Sequence, residues 1–166
     1  MTPLFSDEPQ AEDRVEIEGY AAVFGAPDQT GDIIRPGAFA NIEKTEKLIP
    51  APQSRVMMLY QHAAEQPIGR WHPMKEDQNG LFVRGSLFID TSQGADLYRL
   101  LRGGALDGLS IGFKPERARR TRDGKRELLR IALWEISIVT FPMAPGARIT
   151  HVGEPGVRSP RNLLEA

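Results

Sequence analysis

The stretch GGALDGLSIGFKPERARRTRDGKRELLRIALWEISIVTF, Gly103–Phe141, decides the fold. Within it Ser110 and Gly112 alternate with Ile111 and Phe113. That is strand periodicity, with a hydroxyl on one face and large apolar side chains on the other. Gly108 and Gly112 lack side chains, so a backbone or a substrate can approach the hydroxyl closely. The serine-bearing turn runs into a strand and not a helix, which excludes a nucleophile elbow. Asp123-Gly124 is a turn signal, and a long strand follows from Lys125 to Phe141, ended by Pro142 and Pro145.

This hairpin sets a register. With Asp123 and Gly124 as the central pair, Ser110 stands opposite Ser137, and directly opposed residues share a face. Ser110, Ser137, Glu135 and Leu133 then lie on one side, with Ile111, Ile136 and Ile138 on the other. Glu135 becomes a diagonal neighbour of Ser110, at roughly 7–8 Å. One imidazole spans that gap, with hydrogen bonds of roughly 2.6–3.2 Å at each end. The spacing is that of a nucleophile, a base and an orienter. Without such a role, a carboxylate amid Trp134, Ile136 and Ile138 needs an arginine partner or a place on the rim. A bulge between Arg117 and Arg130 would shift the register by one and break the parity.

Upstream, Thr91 or Ser92 caps a helix over Gln93–Arg102 with a Leu97, Leu100, Leu101 stripe, stopped by Gly103-Gly104. Asn79-Gly80 is a hairpin signal joining a strand over Ile68–Lys75 to one over Leu81–Ile89. Val56–Tyr60 is a short buried strand ending at Gln61-His62-Ala63. Pro36, Phe39, Ile42 and Glu43 suggest a short helix. Leu48–Arg55 reads as a loop, Arg14–Phe24 as a strand and Gly25–Asp32 as a turn-rich loop. The expected organisation is a disordered arm over 1–13, one domain over 14–151 and a flexible tail over 152–166. Hairpins dominate and long crossovers are absent. The fold class is therefore mainly β with short helices (α+β), closing into an antiparallel β-barrel.

The chain has three histidines. His62 follows a buried run and precedes small residues that leave its ring room. His72 lies beside Trp71 and Pro73 and reads as a surface residue, and His151 begins the tail. His62 is thus the best-placed base. Asp107, three residues before Ser110, is a second possible orienter, although a turn-forming role suits it better.

Composition removes other classes of function. The 166 residues carry a net charge of -1, so no nucleic-acid or anionic-membrane partner is expected. There is no cysteine, which removes thiol nucleophiles, disulfides and cysteine-based zinc sites. No window is apolar enough for a membrane span, and the acidic start does not read as a signal peptide. A metal hydrolase using His62, His72 and Asp32 or Asp90 lacks any recognisable ligand spacing. No cofactor is expected.

Several segments carry a resemblance. They are GYAAVFGAPDQTGDIIRPGAF (Gly19–Phe39), MLYQHAAEQPIGRW (Met58–Trp71), NGLFVRGSLFIDT (Asn79–Thr91), LLRGGALDGLSIGF (Leu100–Phe113) and LWEISIVTFPMAP (Leu133–Pro145). In this order they resemble the prohead, or capsid-maturation, proteases of tailed phages and related gene transfer agents, distant relatives of the herpesvirus assemblin proteases. The resemblance covers roughly residues 14 to 150 and implies an assemblin-like barrel ringed by short helices. It implies a serine endopeptidase with His62 as base and Ser110 as nucleophile. In the herpesvirus relatives the third member is a second histidine; here the equivalent place holds Glu135. The oxyanion donors are expected from Thr140–Gly146. The implied partners are the capsid protein or its scaffold segment and further copies of the chain itself, with self-cleavage in its two tails. The implied place is the assembling prohead in the bacterial host cytoplasm. The rival is an inactive protease-like module that binds scaffold or capsid.

Overall fold

In the computed structural model, residues 11–42 and 56–157 are described. Among the described residues nine strands form the sheet: β1 (Arg14–Val23), β2 (Asp32–Ile34), β3 (Met57–Tyr60), β4 (Ala63–Trp71), β5 (Lys75–Glu76), β6 (Gly80–Phe88), β7 (Gly108–Arg120), β8 (Arg126–Val139) and β9 (Arg148–Val152). Seven of them, in the order β1-β9-β7-β8-β3-β4-β6, close into a barrel because β6 also pairs with β1. Closure leaves these strands no free edge. The pairings around the ring are antiparallel except β3 with β8; β2 also lies parallel to β8. One α-helix lies wholly among the described residues, α1 (Ser92–Arg102).

The sequence explains the elements. In β1, Val15 and Ile17 alternate with Glu16 and Glu18 and are fully buried. Leu109, Ile136 and Ile138 fill the barrel with Leu81, Leu87, Leu128 and Ile131, all at 0 or 1% exposure. Each such side chain contributes about 1.5–3 kcal/mol by leaving water. Thr91 caps α1, its hydroxyl accepting the Gly94 N–H at 3.0 Å. Leu97 and Leu101 are buried, while Leu100 is 43% exposed and stands off the expected stripe.

The long hairpin differs from its expected form at the tip. Thr121 and Lys125 close the turn, with Arg122, Asp123 and Gly124 between them and Gly124 at φ +85. That is a three-residue loop whose glycine takes the left-handed position. It starts the ladder one residue out of the expected register, at Arg120 opposite Arg126. Three bulges then intervene, between the pairs Arg117/Ala118, Pro115/Arg117 and Gly112/Phe113. Their net effect restores the expected pairing, and Ser110 stands opposite Ser137. The last bulge, at Trp134, sets Leu133 opposite Phe113. Leu133 therefore shares the face of Phe113 and not, as expected, that of Glu135.

Other local expectations shift. The Asn79-Gly80 hairpin exists, but Asp77 pairs with Gly80, so Gln78 and Asn79 form its centre. The Asp77 carboxylate accepts the N–H groups of Asn79 and Gly80. Residues 37–41 form successive tight turns, with Ala38, Ala40 and Ile42 each bonded three residues back, and helical backbone begins at Ile42; Glu43 of the expected short helix lies outside the described residues. The loop expected over Leu48–Arg55 lies outside the described residues. Of the expected arm and tail, Ala11–Asp13 forms a 3₁₀ turn, Val152 ends β9, and residues 1–10 and 158–166 lie outside the description.

Candidate active site

Ile136 and Ile138 turn into the core, so Glu135 and Ser137 project from the other face of β8. Ser110 and Gly112 of β7 sit directly opposite Ser137 and Glu135 on that face. Ser110 is 3% exposed. Gly112 makes room for the acid: a Cβ there would lie 2.2 Å from Glu135 Oε1. The space left by this glycine serves the carboxylate more directly than the serine.

His62 arrives from the far side of β8. β3 runs parallel to β8, and Tyr60 pairs with Ala63 across a two-residue turn. Gln61 and His62 form that turn with φ +52 and +60, both left-handed. This is the twist a tight hairpin favours, here taken by two side-chain-bearing residues at a cost. Hydrogen bonds offset that cost. The Gln61 N–H donates to the Ile138 carbonyl at 3.0 Å. The Gln61 side chain donates to Thr140 Oγ1 at 2.6 Å and accepts the Thr140 N–H at 3.2 Å. The His62 N–H donates to Ser137 Oγ at 3.1 Å.

The imidazole then meets the acid, with His62 Nδ1 2.5 Å from Glu135 Oε1. The other carboxylate oxygen, Oε2, accepts the Ser137 hydroxyl at 2.7 Å. A carboxylate that accepts from Nδ1–H leaves Nε2 without a proton, and that is the nitrogen able to accept one from a serine. Glu135 is largely covered, while the His62 side chain is 42% exposed, so a substrate can reach the ring. The expected bridge is made at one end: His62 bonds Glu135, and no hydrogen bond joins Ser110 Oγ to His62.

A cavity of about 260 Å³ borders Ser110. Its walls include Leu109, Ile111, Phe113, Met143, Ala144 and Ala147, so the Thr140–Gly146 segment reaches it. Asp28, Asp32 and Arg126 form its polar end. Arg126 grips Asp32 with two hydrogen bonds, of 2.8 and 2.5 Å. Asp28 Oδ1 accepts from Thr30 and from the Asp32 N–H, which shapes the loop.

The remaining candidates are engaged elsewhere. Asp107 pairs with Arg148 at 2.6 Å and is directed toward β9. His151 is exposed on β9. His72 Nε2 lies 2.9 Å from Glu16 Oε2 and 3.2 Å from Ser86 Oγ, a second grouping of serine, histidine and glutamate. There one ring nitrogen faces both partners, and the Ser86 hydroxyl donates to Glu16 Oε1 at 2.6 Å. A proton relay needs opposite nitrogens, so this cluster is a structural clasp. His62, His72 and Asp32 have separate partners, and no metal-binding group of three His, Asp or Glu exists among the described residues. Sequence reasoning named His62, Ser110 and Glu135 as candidates but gave no role to Ser137 or Gln61; the structure joins His62 to Glu135 and sets Ser110 on the strand paired with Glu135's. The register paired Ser137 with Ser110, and that pairing was the one available signal.

The chain is 38% identical over 129 residues to the prohead protease of Enterobacteria phage HK97. That match covers 76% of this chain and 55% of the relative, so the chain spans about half the relative's length. Among solved structures, the bacteriophage T4 capsid assembly protease gp21 aligns with a TM-score of 0.57 at 14% identity, over 75% of this chain and 80% of that one. The KSHV protease, solved with a hexapeptide phosphonate inhibitor, aligns with a TM-score of 0.51 at 14% identity, over 85% and 65%. At such identities these two likenesses establish the shared barrel fold. The model of the caudovirus prohead serine protease family matches residues 4–157, and the chain belongs to that family.

Proposed function

We propose that the chain is a serine endopeptidase of capsid maturation, with Ser110 as nucleophile, His62 as general base and Glu135 as orienter. The observation that carries this reading is the 2.5 Å contact of His62 Nδ1 with Glu135 Oε1, on the strand that pairs with the serine's own. Nε2 takes the Ser110 proton as the oxygen attacks the peptide carbonyl. Glu135 holds the tautomer and stabilises the imidazolium that forms. The same proton then passes to the leaving amine, and water resolves the acyl-enzyme by the reverse relay. Main-chain N–H groups of the Thr140–Gly146 segment stabilise the tetrahedral oxyanion. Pro142 and Pro145 shape that segment but supply no N–H.

The substrates proposed are the capsid protein or its scaffold segment and the chain's own ends, met inside the assembling prohead in the host cytoplasm. Self-cleavage and action by several copies together follow from confinement there. The rival, an inactive capsid-binding module, leaves the left-handed His62 and its acid partner without a purpose. Co-expression with the capsid protein, followed by mass spectrometry of all termini, tests the proposal. New termini are expected with the wild type and none with Ser110→Ala. Unchanged processing by Ser110→Ala would refute it.

A further inference from the structure

Proteolysis as proposed makes no direct use of the hydroxyl opposite Ser110, yet Ser137 is fully buried, with 0% exposure. Its hydroxyl has one hydrogen, and a carboxylate oxygen only accepts, so that hydrogen goes to Glu135 Oε2. The Ser137 oxygen accepts in turn the main-chain N–H of His62 at 3.1 Å. Glu135 Oε1 takes Nδ1 of the same histidine. The three hydrogen bonds form a closed circuit from the His62 main chain through Ser137 and Glu135 back to the His62 ring.

This circuit has mechanical consequences. Each Glu135 oxygen has one assigned partner, so the carboxylate cannot rotate without losing both. The His62 backbone, at φ +60, is tied to the strand that carries its acid. Ring and main chain are thereby referred to one fixed point on β8, across from Ser110. We infer that Ser137 is a positioning residue that sets the orientation and tautomer of His62 through Glu135 without touching substrate. Its effect on rate rests on the proteolytic reading; its effect on the ring does not.

The test uses the full chain as wild type, Ser110→Ala, Ser137→Ala and Ser137→Thr, with a fluorophosphonate as the probe of Ser110. Ser137→Ala is expected to react about 10–100-fold more slowly in the bond-forming step, with affinity for the probe within about twofold. Its melting temperature stays close to wild type, and the ¹⁵N shifts of the His62 ring lose the single Nδ1–H tautomer. Ser137→Thr keeps the hydroxyl and is expected to restore tautomer and rate. If the added methyl unfolds the Thr variant, the Ala variant decides. A Ser137→Ala chain that reacts at the wild-type rate and keeps the wild-type tautomer overturns the inference. So does a loss of rate that only mirrors loss of folded protein. Labelling of Ser110→Ala as fast as wild type overturns the proteolytic reading instead; the tautomer comparison needs no activity and still decides the role of Ser137.

Discussion

Gly112 offers the sharpest perturbation of the site. Its backbone is not left-handed, so alanine fits the conformation, and only space is at issue. The added Cβ would lie 2.2 Å from Glu135 Oε1 and 2.8 Å from both Cγ and Cδ. Ordinary contact begins near ~3.5 Å, so the carboxylate must retreat by roughly 1 Å or more. That retreat breaks its contacts with His62 Nδ1 and with the Ser137 hydroxyl. A misplacement of about 1 Å costs on the order of 10²-fold in rate, and loss of the orienter from a serine triad costs on the order of 10⁴-fold. Gly112→Ala should therefore react with a fluorophosphonate about 10²–10⁴ times more slowly, equivalent to about 2.7–5.4 kcal/mol of activation free energy. Folding should change little. Alanine restrains the unfolded chain by about 0.4–1 kcal/mol, against the loss of a partly exposed pair, and the melting temperature should move by only a few degrees. The assay is the labelling rate of Ser110 beside a thermal melt. A Gly112→Ala protein that labels at the wild-type rate would show that Glu135 does not govern the serine.

Two further perturbations probe the scaffold. Gln61→Gly eases the left-handed turn while removing the clasp on Thr140; labelling should slow by roughly 10–100-fold without loss of stability, and a wild-type rate would separate that clasp from the chemistry. Glu127 is buried between Arg119 and Arg35, whose hydrogen bonds, Arg119 first, hold its carboxyl below the usual carboxylate range. Its contribution to stability is complete above the ordinary glutamate value of about 4.3 and is lost as pH falls through the lowered value. Urea midpoints should accordingly fall less steeply with acid in Glu127→Gln than in wild type, and equal slopes would refute the assignment.

The parts of the fold that were legible in the sequence depend on local periodicity. Ile111, Ile136 and Ile138 declared the apolar face, of which Ile136 and Ile138 are fully buried, and the turn glycines declared the hairpins. The Ser110–Ser137 pairing was reached by a simpler route than the molecule takes. A two-residue turn was assumed, whereas the three-residue loop and the bulges offset one another, and bulge positions leave little trace in side-chain pattern. β9 went unread because Ile149, Thr150 and Val152 follow the turn residues Pro145 and Gly146 and make a run too short to stand out. The left-handed turn at Gln61-His62 carries neither asparagine nor glycine, and contacts from distant residues hold it in place. Ser137 lacked an assigned role for a related reason: the Glu135 carboxylate stands two residues away on the same strand, but its other partner, the His62 main-chain N–H, is brought close only by the turn that follows the parallel neighbour β3.

The strand that completes the ring is the last of the nine to be synthesised. Arg148–Val152 slots between β1, made first, and β7, which bears Ser110. A nascent chain still lacking these residues has a gap in the wall beside Ser110, and emergence from the ribosome cannot seal it earlier. Translation order thus imposes a delay, and the serine's strand gains its second neighbour only after the other strands of the ring have been made.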